Sequence, residues 1–448
     1  MLTPKAIFAG HAPRYTSYPT APHFHPGVTP ARYRDWLAVL PADAPLSLYF
    51  HIPFCDTLCW FCACHTTVVN TYTPVAEYLD LLLDELEMAA RALPGRRTVS
   101  HIHWGGGSPT ILTPDDMARL NRAVRARFDV LPDAAFAVEI DPRGFDAAMA
   151  AALADCGVTR ASLGIQDCDP KVQVAINRIQ PMAEVEQCLA LLRRNGITGI
   201  NLDLVYGLPH QTPESFARTL SATLALAPQR IAVFGYAHVP SFKKHQALIP
   251  TEALPDVDER LALARLAEAT ITGAGYQAIG LDHFARPEDS LAQAARQGTL
   301  RRNFQGYTTD TAQILLGFGA SAISALPQGY VQNLAATPAY RAALRTGDLP
   351  VARGIALTSE DRLRRDVIER LMCGLCVDLG EVCGRYDAAP DSLDWALGDL
   401  TPLCEAGAVT VRHRVVTVNP AMPQAARLAA AVFDAYLEVG GVQHSQSA

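Results

Sequence analysis

The stretch SLYFHIPFCDTLCWFCAC, residues 47–64, places four cysteines directly after a short strand of apolar and aromatic residues. Residues 48–52 predict that strand, because aromatic and β-branched side chains favour extended structure. Cys55, Cys59 and Cys62 follow with the spacing C-x3-C-x2-C. A loop this tight can direct three thiolates to one iron–sulfur cluster, which typically has four cysteine ligands. Three ligands would leave one iron open to a small molecule, as a catalytic metal site requires.

A structural zinc site with Cys64 as its fourth ligand is an alternative for the same loop. Typical zinc patterns use two cysteine pairs about a dozen or more residues apart, and no second pair fits here. Disulfides are disfavoured because nothing in the sequence indicates export. Trp60 and Phe61 would either keep water from a cluster, which tunes its potential, or serve as ordinary packing residues.

The composition indicates a large globular protein with roughly two to three domains. Of its 448 residues, 49% are hydrophobic and 19% are charged, so a substantial core is feasible. The net charge of −7 argues against nucleic acid as the main partner. No apolar run of about 18 residues is present, and the first residues lack the apolar segment of a signal peptide. We therefore expect a cytoplasmic protein without a membrane span.

Strands and helices alternate along the middle of the chain, which predicts a parallel sheet with crossover helices. Polar or glycine-rich residues follow the strands, so they could line one cavity at the carboxyl edge of the sheet. The alternation alone fits either an open sheet or a barrel. Thr113 and Thr212, each followed by a proline, predict two helix starts. The six predicted strands comprise residues 48–52, 99–104, 136–140, 160–165, 200–206 and 230–236.

We divide the chain into three regions. Residues 1–38 have little periodicity and are expected to form an N-terminal arm, either lying on the domain surface or carrying a specific motif. Residues 39–350 hold the alternating pattern and form the main α/β domain. Residues 351–448 are expected to form a small, mostly helical domain that resembles a winged helix. Its predicted elements are helices at 359–372 and 395–406 and strands at 409–412 and 415–418.

The chain has eleven cysteines, and this odd number favours metal ligands or free thiols over a disulfide framework. Cys373 and Cys376 could form a redox pair, but no thioredoxin-like context surrounds them, which favours ordinary helical thiols. Cys156, Cys168 and Cys188 lie in or beside predicted helices and are expected to be packing residues.

The cysteine spacing after a first strand resembles that of radical S-adenosylmethionine (SAM) enzymes. The longer motif HIPFCxxxCxFCxC is similar to that of the oxygen-independent coproporphyrinogen III oxidase family of bacterial haem synthesis. This resemblance extends over about residues 13–445, and its motifs occur in the family order. The further motifs are RYTSYPT, HWGGGxPT, EIDPR, GIQD, INLDLVYGLPHQTPESF, DHFARPED and RNFQGYTT.

The resemblance implies a partial (βα)6 TIM-like radical SAM barrel that holds a [4Fe–4S] cluster and two SAM molecules. By motif match, the cluster ligands are Cys55, Cys59 and Cys62. Cys64 matches an additional cysteine that does not bind the cluster but is needed for activity. The SAM contacts of the family fall on Tyr49, Phe61, Gly106, Gly107, Ser108, Glu139, Gln166, Arg178, Asp203, Ala237 and Ile323.

Three departures from the family pattern affect only the surroundings of the cluster. Ser108 stands where threonine is common, and both residues supply a hydroxyl. Ala63 replaces a glycine, and Trp60 occupies a tyrosine-type position.

The implied activity is the anaerobic oxidative decarboxylation of two propionate side chains of coproporphyrinogen III. A 5′-deoxyadenosyl radical from SAM would abstract hydrogen from each propionate, and loss of CO2 and an electron would leave the vinyl groups of protoporphyrinogen IX. The family also implies an electron donor such as flavodoxin or ferredoxin, and a monomeric state.

Two sets of side chains suit this chemistry. Glu139 and Asp203 lie toward the ends of strands, where they can accept hydrogen bonds from the ribose or the amine of SAM, although solvated helix or loop carboxylates would look the same. A substrate with four carboxylates requires cationic partners. The candidates are Arg14, Arg286, Arg301 and Arg302, each of which could instead be a solvated surface charge.

Two other functions share this cluster motif. A haem-binding chaperone would have the same fold without oxidase activity, but Cys64 and the motifs RYTSYPT and RNFQGYTT argue against it. A radical SAM methyltransferase would use the second SAM as a methyl donor. Haem binding would favour the chaperone, and formation of S-adenosylhomocysteine would favour the methyltransferase.

Overall fold

The computed structural model describes residues 12–437, in which strands and helices alternate as the sequence predicts. All six predicted strands are present, and the third of them begins earlier, at Asp129. In chain order the strands are β1 (Leu46–Ile52), β2 (Phe54–Cys55), β3 (Thr67–Val68), β4 (Thr98–Gly106), β5 (Asp129–Ile140), β6 (Arg160–Gln166), β7 (Gly199–Tyr206), β8 (Arg230–Gly235), β9 (Gln277–Ile279), β10 (His283–Ala285), β11 (Arg301–Asn303), β12 (Gly306–Thr308), β13 (Ile314–Phe318), β14 (Ile323–Leu326), β15 (Gly329–Asn333), β16 (Val351–Ala356), β17 (Cys376–Asp378), β18 (Val409–Arg412) and β19 (Val415–Val418).

Several helices begin at a side chain that caps the first turn. Thr113 accepts a hydrogen bond from the N–H of Asp116, and Thr212 forms a capping box with Ser215. In chain order the α-helices are α1 (Pro30–Ala38), α2 (Thr73–Ala92), α3 (Pro114–Arg127), α4 (Ala147–Cys156), α5 (Pro170–Ala175), α6 (Met182–Arg194), α7 (Pro213–Ala225), α8 (Val257–Gly273), α9 (Ser290–Gln297), α10 (Thr337–Arg345), α11 (Ser359–Gly374), α12 (Leu379–Arg385), α13 (Trp395–Asp399), α14 (Thr401–Glu405) and α15 (Ala425–Val432). Short 3-10 helices comprise Ala21–His23, Pro109–Ile111, Lys244–Leu248 and Thr251–Ala253.

One sheet of 12 strands organises the main domain, in the order β16-β15-β14-β13-β1-β4-β5-β6-β7-β8-β10-β9. From β13 to β8 all neighbours are parallel, and the strands outside this run are antiparallel. The parallel run therefore includes β13, which the sequence did not predict. The described strands form an open sheet with helices on one side, consistent with the partial barrel that the resemblance implied.

The two faces of the parallel strands differ in polarity. In β7, Leu202 and Leu204 are fully buried and belong to the same core as Phe216 of α7. Asn201 and Asp203 alternate with them and are only partly buried. Because side chains alternate between the faces of a strand, the helices cover the apolar face and polar side chains remain on the other.

In the predicted C-terminal region, the elements from α11 to α15 pack around a second hydrophobic core. β16 pairs with β15, so the large sheet continues past the predicted boundary at residue 350. The predicted strands β18 and β19 have the expected bounds, and β17 adds a third strand to their sheet. The predicted helix at 395–406 is divided into α13 and α14, because Pro402 cannot donate a main-chain hydrogen bond to a continuous helix.

The first described part of the N-terminal arm packs into the core of the C-terminal domain, whereas Tyr33, Trp36 and Leu37 of α1 belong to the core of the main domain. Tyr15 and Tyr18 are buried in that core, and Tyr15 donates a hydrogen bond to Asp434 at 3.0 Å. Arg427 of α15 donates to the carbonyl of Pro13 at 3.1 Å. The predicted arm and C-terminal domain also include residues 1–11 and 438–448, which lie outside the described residues.

Over residues 12–437, none of the helices has both the length and the apolar character that crossing a membrane requires.

Candidate active site

The cluster loop, residues 53–66, leaves the carboxyl end of β1 and is held by main-chain hydrogen bonds. β2 and β3 pair in parallel, which places Cys55 opposite Val68. The N–H of Trp60 donates to the carbonyl of Ile176 at 2.9 Å. These contacts attach both halves of the loop to the main domain.

Side chains from two other segments bind carbonyl groups of the cluster loop. Asn177 donates to Leu58 at 2.8 Å. Three neighbouring residues of the segment 239–249 contact the end of the loop. The pairs are Gln246 with the carbonyl of Phe61 at 2.9 Å, His245 with that of Cys62 at 2.7 Å, and Lys243 with that of Cys64 at 2.8 Å.

The three cysteines predicted as ligands each accept a hydrogen bond. The donors are Thr66 to Cys55 at 3.2 Å, Arg178 to Cys59 at 3.5 Å, and the N–H of Cys64 to Cys62 at 3.4 Å. Hydrogen bonds to sulfur are among the features that set the potential of iron–sulfur clusters. The donor set of the loop therefore fits such a cluster.

The thiols differ in acidity. A hydrogen bond from the Cys64 thiol lowers the pKa of Cys62, whereas burial raises the pKa of Cys55 to about 11. Within residues 12–437, no three His, Cys, Asp or Glu side chains are gathered closely enough to hold one metal ion.

An arginine pair beside Cys59 was not predicted as a unit. Arg143 binds Asp141 through three side-chain contacts of 2.9, 3.2 and 2.5 Å, and Arg178 binds the same carboxylate at 3.2 Å. Both guanidinium groups also reach Cys59, at 3.8 Å from Arg143 and 3.5 Å from Arg178. Burial would raise the pKa of Asp141, but the two arginines lower it below its usual value. The carboxylate thus stays charged and orients both donors toward the sulfur.

The glycine-rich turn after β4 packs directly against the cluster loop. Gly107 donates to the carbonyl of Ile52 at 2.8 Å, and Ser108 donates to that of Phe54 at 2.7 Å. A Cβ on Gly107 would lie 2.4 Å from the carbonyl oxygen of Phe54. Gly106 has a φ of +117°, a conformation that favours glycine. Glycines are therefore required here for close packing of two loops.

Glu139 projects from the end of β5 toward the glycine turn. It accepts hydrogen bonds from His103 at 3.2 Å and from the N–H of Gly106 at 3.1 Å. Burial opposes its charge, but these two donors lower the pKa of Glu139 below its usual value. The ring of Tyr49 lies 5.7 Å from that of His103, and its hydroxyl contacts His51 at 2.9 Å. Tyr49 and Glu139 thus belong to one polar cluster at the strand ends.

Asp203 of β7 lies further along the same sheet edge. It accepts hydrogen bonds from Ser162 at 2.8 Å and from Asn201 at 2.7 Å, and burial raises its pKa. Gln166 ends β6 with a φ of +67°. A Cβ at Gly164 would lie 2.5 Å from Gln166 and 3.2 Å from Arg178, which shows how tightly these side chains approach the strand.

The remaining predicted SAM contacts have less distinctive surroundings. Phe61 and Trp60 pack against a small apolar cluster that includes Ile176, so they act at least as packing residues. Ala237 follows β8, and Ile323 begins β14. These two residues lie near strand ends, and their hydrocarbon side chains could contact SAM only through apolar surface.

Comparisons with known proteins extend over nearly the whole chain. Residues 49–222 match the radical SAM superfamily model. The oxygen-independent coproporphyrinogen III oxidase of Bradyrhizobium diazoefficiens is 50% identical, and the alignment covers 97% of each chain. That of Paracoccus denitrificans is 45% identical and covers 96% of this chain and 95% of the relative. The chain belongs to the oxygen-independent coproporphyrinogen III oxidase family. As a radical SAM enzyme of this family, it uses a [4Fe–4S] cluster and SAM.

A solved structure of this oxidase family has the same fold. The coproporphyrinogen III oxidase of Escherichia coli, described as a radical SAM enzyme, matches with a TM-score of 0.90 and 39% identity. The match covers 95% of this chain and 98% of that chain. It therefore includes the arm and the C-terminal domain as well as the barrel.

In this oxidase-family chain, a cavity of about 340 Å³ lies between the barrel and the C-terminal domain. Arg14, Asp282, Arg302 and Arg427 are among its lining residues. Arg14 also donates to the carbonyl of Gly235, at the end of β8, at 3.4 Å. The arm thus contributes a cation to a cavity at the carboxyl edge of the sheet.

The four arginines predicted to bind substrate carboxylates do not lie together. Arg302 lines the cavity with Arg14, while Arg301 is partly exposed and pairs with Glu369 at 2.8 Å. Arg286 follows β10, which is antiparallel to β8, and therefore lies near the opposite edge of the sheet. It stacks over Tyr276 at 5.1 Å. The structure thus separates Arg286 from the other candidates.

The motifs of the site could be predicted from the sequence, whereas the residues that hold the cluster loop in place could not. Asp141 and Arg143 belong to the motif EIDPR, so the position of that motif after a predicted strand was the signal available. Thr66 and Asn177 carried no comparable signal. Of the other cysteines, Cys156 and Cys188 are buried in the main core, as expected. Within the described residues, all cysteines are free of disulfides.

Proposed function

We propose that this chain catalyses the oxygen-independent oxidative decarboxylation of coproporphyrinogen III to protoporphyrinogen IX, a step of haem biosynthesis. The observation that carries this proposal is the 50% identity to a coproporphyrinogen III oxidase over 97% of both chains. The motifs at the strand ends support it, because one sheet edge bears the cysteine loop, the glycine turn and two carboxylates. We further propose that the reaction occurs in the cytoplasm and that the enzyme is a monomer.

Cys55, Cys59 and Cys62 would hold the cluster, and Cys64 would act beside it without binding iron. When bound, the reduced cluster and SAM supply a 5′-deoxyadenosyl radical that abstracts hydrogen from a propionate. Arg178 would donate a charge-assisted hydrogen bond to the Cys59 thiolate, since its guanidinium already reaches that sulfur at 3.5 Å. The protein would thereby orient one ligand and stabilise its negative charge.

We propose that two SAM molecules bind along the strand ends. Glu139, held by His103 and Gly106, would accept hydrogen bonds from a SAM amine or ribose. Gly107 and Ser108 would bring main-chain groups close to the ligand, with Tyr49 beside them. Further contacts would come from Phe61, Gln166, Arg178, Asp203, Ala237 and Ile323.

Arg14 and Arg302 would bind carboxylates of the substrate in the cavity between barrel and C-terminal domain. Arg302 lies 4.3 Å over the ring of Tyr307, and its Nε and Nη1 atoms are buried without hydrogen-bond partners. A buried guanidinium with unused donors favours an anionic ligand, because desolvated charge is costly unless it is paired. Asp282 also faces the cavity, so the anion would compete with one protein carboxylate.

The proposal is tested by an anaerobic assay of the cluster-reconstituted protein with dithionite, SAM and coproporphyrinogen III. Two successive losses of CO2, followed by mass spectrometry and abolished by Cys55→Ala, are expected. Formation of 5′-deoxyadenosine with an unchanged porphyrin would support the radical chemistry but refute coproporphyrinogen III as the substrate. Tight haem binding without turnover would favour a chaperone, and S-adenosylhomocysteine would favour a methyltransferase.

The reaction also needs a one-electron donor, and we propose a small carrier such as flavodoxin or ferredoxin.

A further inference from the structure

Exposed apolar side chains are concentrated around the cluster loop. Over residues 12–437, seven large apolar side chains are exposed. Five of them lie in segments that contact the loop, namely Val68, Val174, Ile179, Phe242 and Leu248. Val68 is opposite Cys55, residues 174–179 flank Ile176 and Asn177, and residues 242–248 flank the three donors to the loop carbonyls.

Lysines are concentrated in the same segments. The chain has four lysines among its 38 basic residues, and three of them are Lys171, Lys243 and Lys244. Lys171 lies in α5, and Lys244 is exposed two residues from exposed Phe242. Residues 53–68, 170–179 and 239–249 contain these lysines but only one carboxylate, Asp56, while Arg178 is buried and paired with Asp141. This surface is therefore positive in a chain whose net charge is −7.

We propose that this surface, the loop-flanking patch formed by Val68, Lys171, Val174, Ile179, Phe242, Lys244 and Leu248, docks a small acidic protein that carries a one-electron redox group. The inference rests on the proposed function, because cleavage of SAM consumes one electron. In the docked complex the partner is oxidised by one electron and the cluster is reduced by one. No covalent bond forms or breaks in this step.

The composition of the loop-flanking patch fits a transient complex. Lysine is a strongly hydrated, flexible charge, which suits electrostatic steering better than the fixed contacts that arginine makes. Redox encounters bury little surface and need only a few apolar contacts. A partner seated on this patch lies directly over the segments that bind the loop, so its redox group approaches the cluster from outside the barrel.

The test measures binding of oxidised flavodoxin, an acidic FMN protein, and of an acidic ferredoxin to the full chain by titration calorimetry. For at least one of them we expect micromolar affinity that weakens with added salt. The variant Lys171→Glu/Lys244→Glu should weaken it about tenfold or more and remove most of the salt dependence. Phe242→Ser should also weaken binding, mainly through faster dissociation.

Matched control variants distinguish an effect of the loop-flanking patch from an effect of net charge or of exposed apolar surface elsewhere on the chain. Arg194→Glu/Arg412→Glu makes the same change in net charge, with Arg194 at the end of α6 and Arg412 in the C-terminal domain. Val39→Ser removes an apolar side chain that is 67% exposed near the start of β1, at the other edge of the sheet. Both controls should bind the carrier as the unmodified chain does.

Three outcomes would overturn the docking proposal. They are binding of neither carrier, equal loss of binding in the patch and control variants, and a dimer of this chain that buries the patch. Reduction by dithionite requires no docking, so all variants should retain full turnover with it. Lack of turnover by the unmodified chain with dithionite would refute the proposed oxidase activity, whereas the binding data would still decide the docking surface.

Discussion

Arg302 gives the sharpest prediction for a single residue of the substrate cavity. Replacing it by lysine keeps the charge but removes the planar stack on Tyr307 and the paired donors of the guanidinium. For Arg302→Lys we expect the KM for coproporphyrinogen III to rise about tenfold, as the loss of one carboxylate contact would cause. Reductive cleavage of SAM without substrate, measured as 5′-deoxyadenosine, should be unchanged.

Arg286→Lys is the matched control, because Arg286 also stacks on a tyrosine but lies near the other edge of the sheet. Its KM should stay within about twofold of the unmodified value, a change too small to report a lost charge pair. Equal changes in both variants would show that the cavity does not bind the substrate carboxylates.

Glu85 is buried, and it should make the free energy of unfolding depend on pH near neutrality. It accepts hydrogen bonds from Tyr340, from Asn333 at 2.6 Å and from the N–H of Gly319 at 2.7 Å. Burial raises its pKa to about 7. Between about pH 4.5 and 7 the folded state therefore keeps a proton that the unfolded state has lost, and the free energy of unfolding falls as pH rises. Glu85→Gln should remove this slope, measured by urea unfolding at pH 5 and 8.

Asp84→Asn provides the comparison for Glu85, since Asp84 is the preceding, exposed residue of α2. Its urea midpoints should change with pH as those of the unmodified chain do. At pH 5 we expect Glu85→Gln to be less stable by about 1–2 kcal/mol, because an amide cannot accept all three donors. A slope that persists in Glu85→Gln would assign the pH dependence to another group.

At the scale of elements, the glycine turn and the cluster loop pack so closely that a larger side chain at their contact would displace one of them. In Gly107→Ala the added Cβ would lie 2.4 Å from the Phe54 carbonyl, so one of the two loops must move. We expect iron content and SAM affinity to fall, with turnover reduced about a hundredfold, as occurs when positioning is lost by about 1 Å. Iron analysis and SAM titration measure these effects.

Gly273→Ala is the control that shows whether replacing any glycine by alanine lowers iron content and turnover. A Cβ there meets nothing within 4 Å, and Gly273 ends the exposed last turn of α8. This variant should keep full iron content and turnover. Reduced iron content in Gly273→Ala would point to general instability as the cause.

Helix starts and the cysteine loop could be predicted because they depend on residues close together in sequence. The long-range contacts that hold the cysteine loop could not be predicted. Thr113 and Thr212 marked helix starts because a cap and a following proline are neighbours in sequence. The cysteine loop was visible for the same reason. Asn177 and Gln246 bind that loop from 119 and 185 residues away, and a polar side chain in a loop carries no sign of such a partner.

At the scale of the whole molecule, the alternation of elements predicted the parallel run of the sheet but not its continuation. β13 pairs with β1 across more than half of the chain, and Gly317 interrupts the apolar pattern of this buried strand. The packing of the arm was equally hidden, since Tyr15 and Asp434 are 419 positions apart. Only the motif RYTSYPT indicated that the arm had a specific role.

The arm connects the barrel to the C-terminal domain, and this connection gives the final prediction. Tyr18 is 1% exposed, its ring lies 5.9 Å from that of Tyr436, and its hydroxyl accepts the N–H of Ala435 at 3.0 Å. Arg14, nearby in the same arm, contacts Gly235 of the barrel. Loosening Tyr18 should therefore disturb the substrate cavity while leaving the cluster loop intact.

Tyr18→Ala should destabilise the C-terminal domain by about 3 kcal/mol, the usual cost of truncating a buried aromatic ring. Calorimetry should then show this domain unfolding before the barrel. SAM cleavage should persist, but decarboxylation of coproporphyrinogen III should fall, because Arg14 is no longer fixed at the cavity. Tyr18→Phe keeps the ring and loses one hydrogen bond, so it should cost about 1 kcal/mol and retain turnover. If Tyr18→Ala lowered SAM cleavage and decarboxylation equally, the arm would act on the whole fold and not on the cavity.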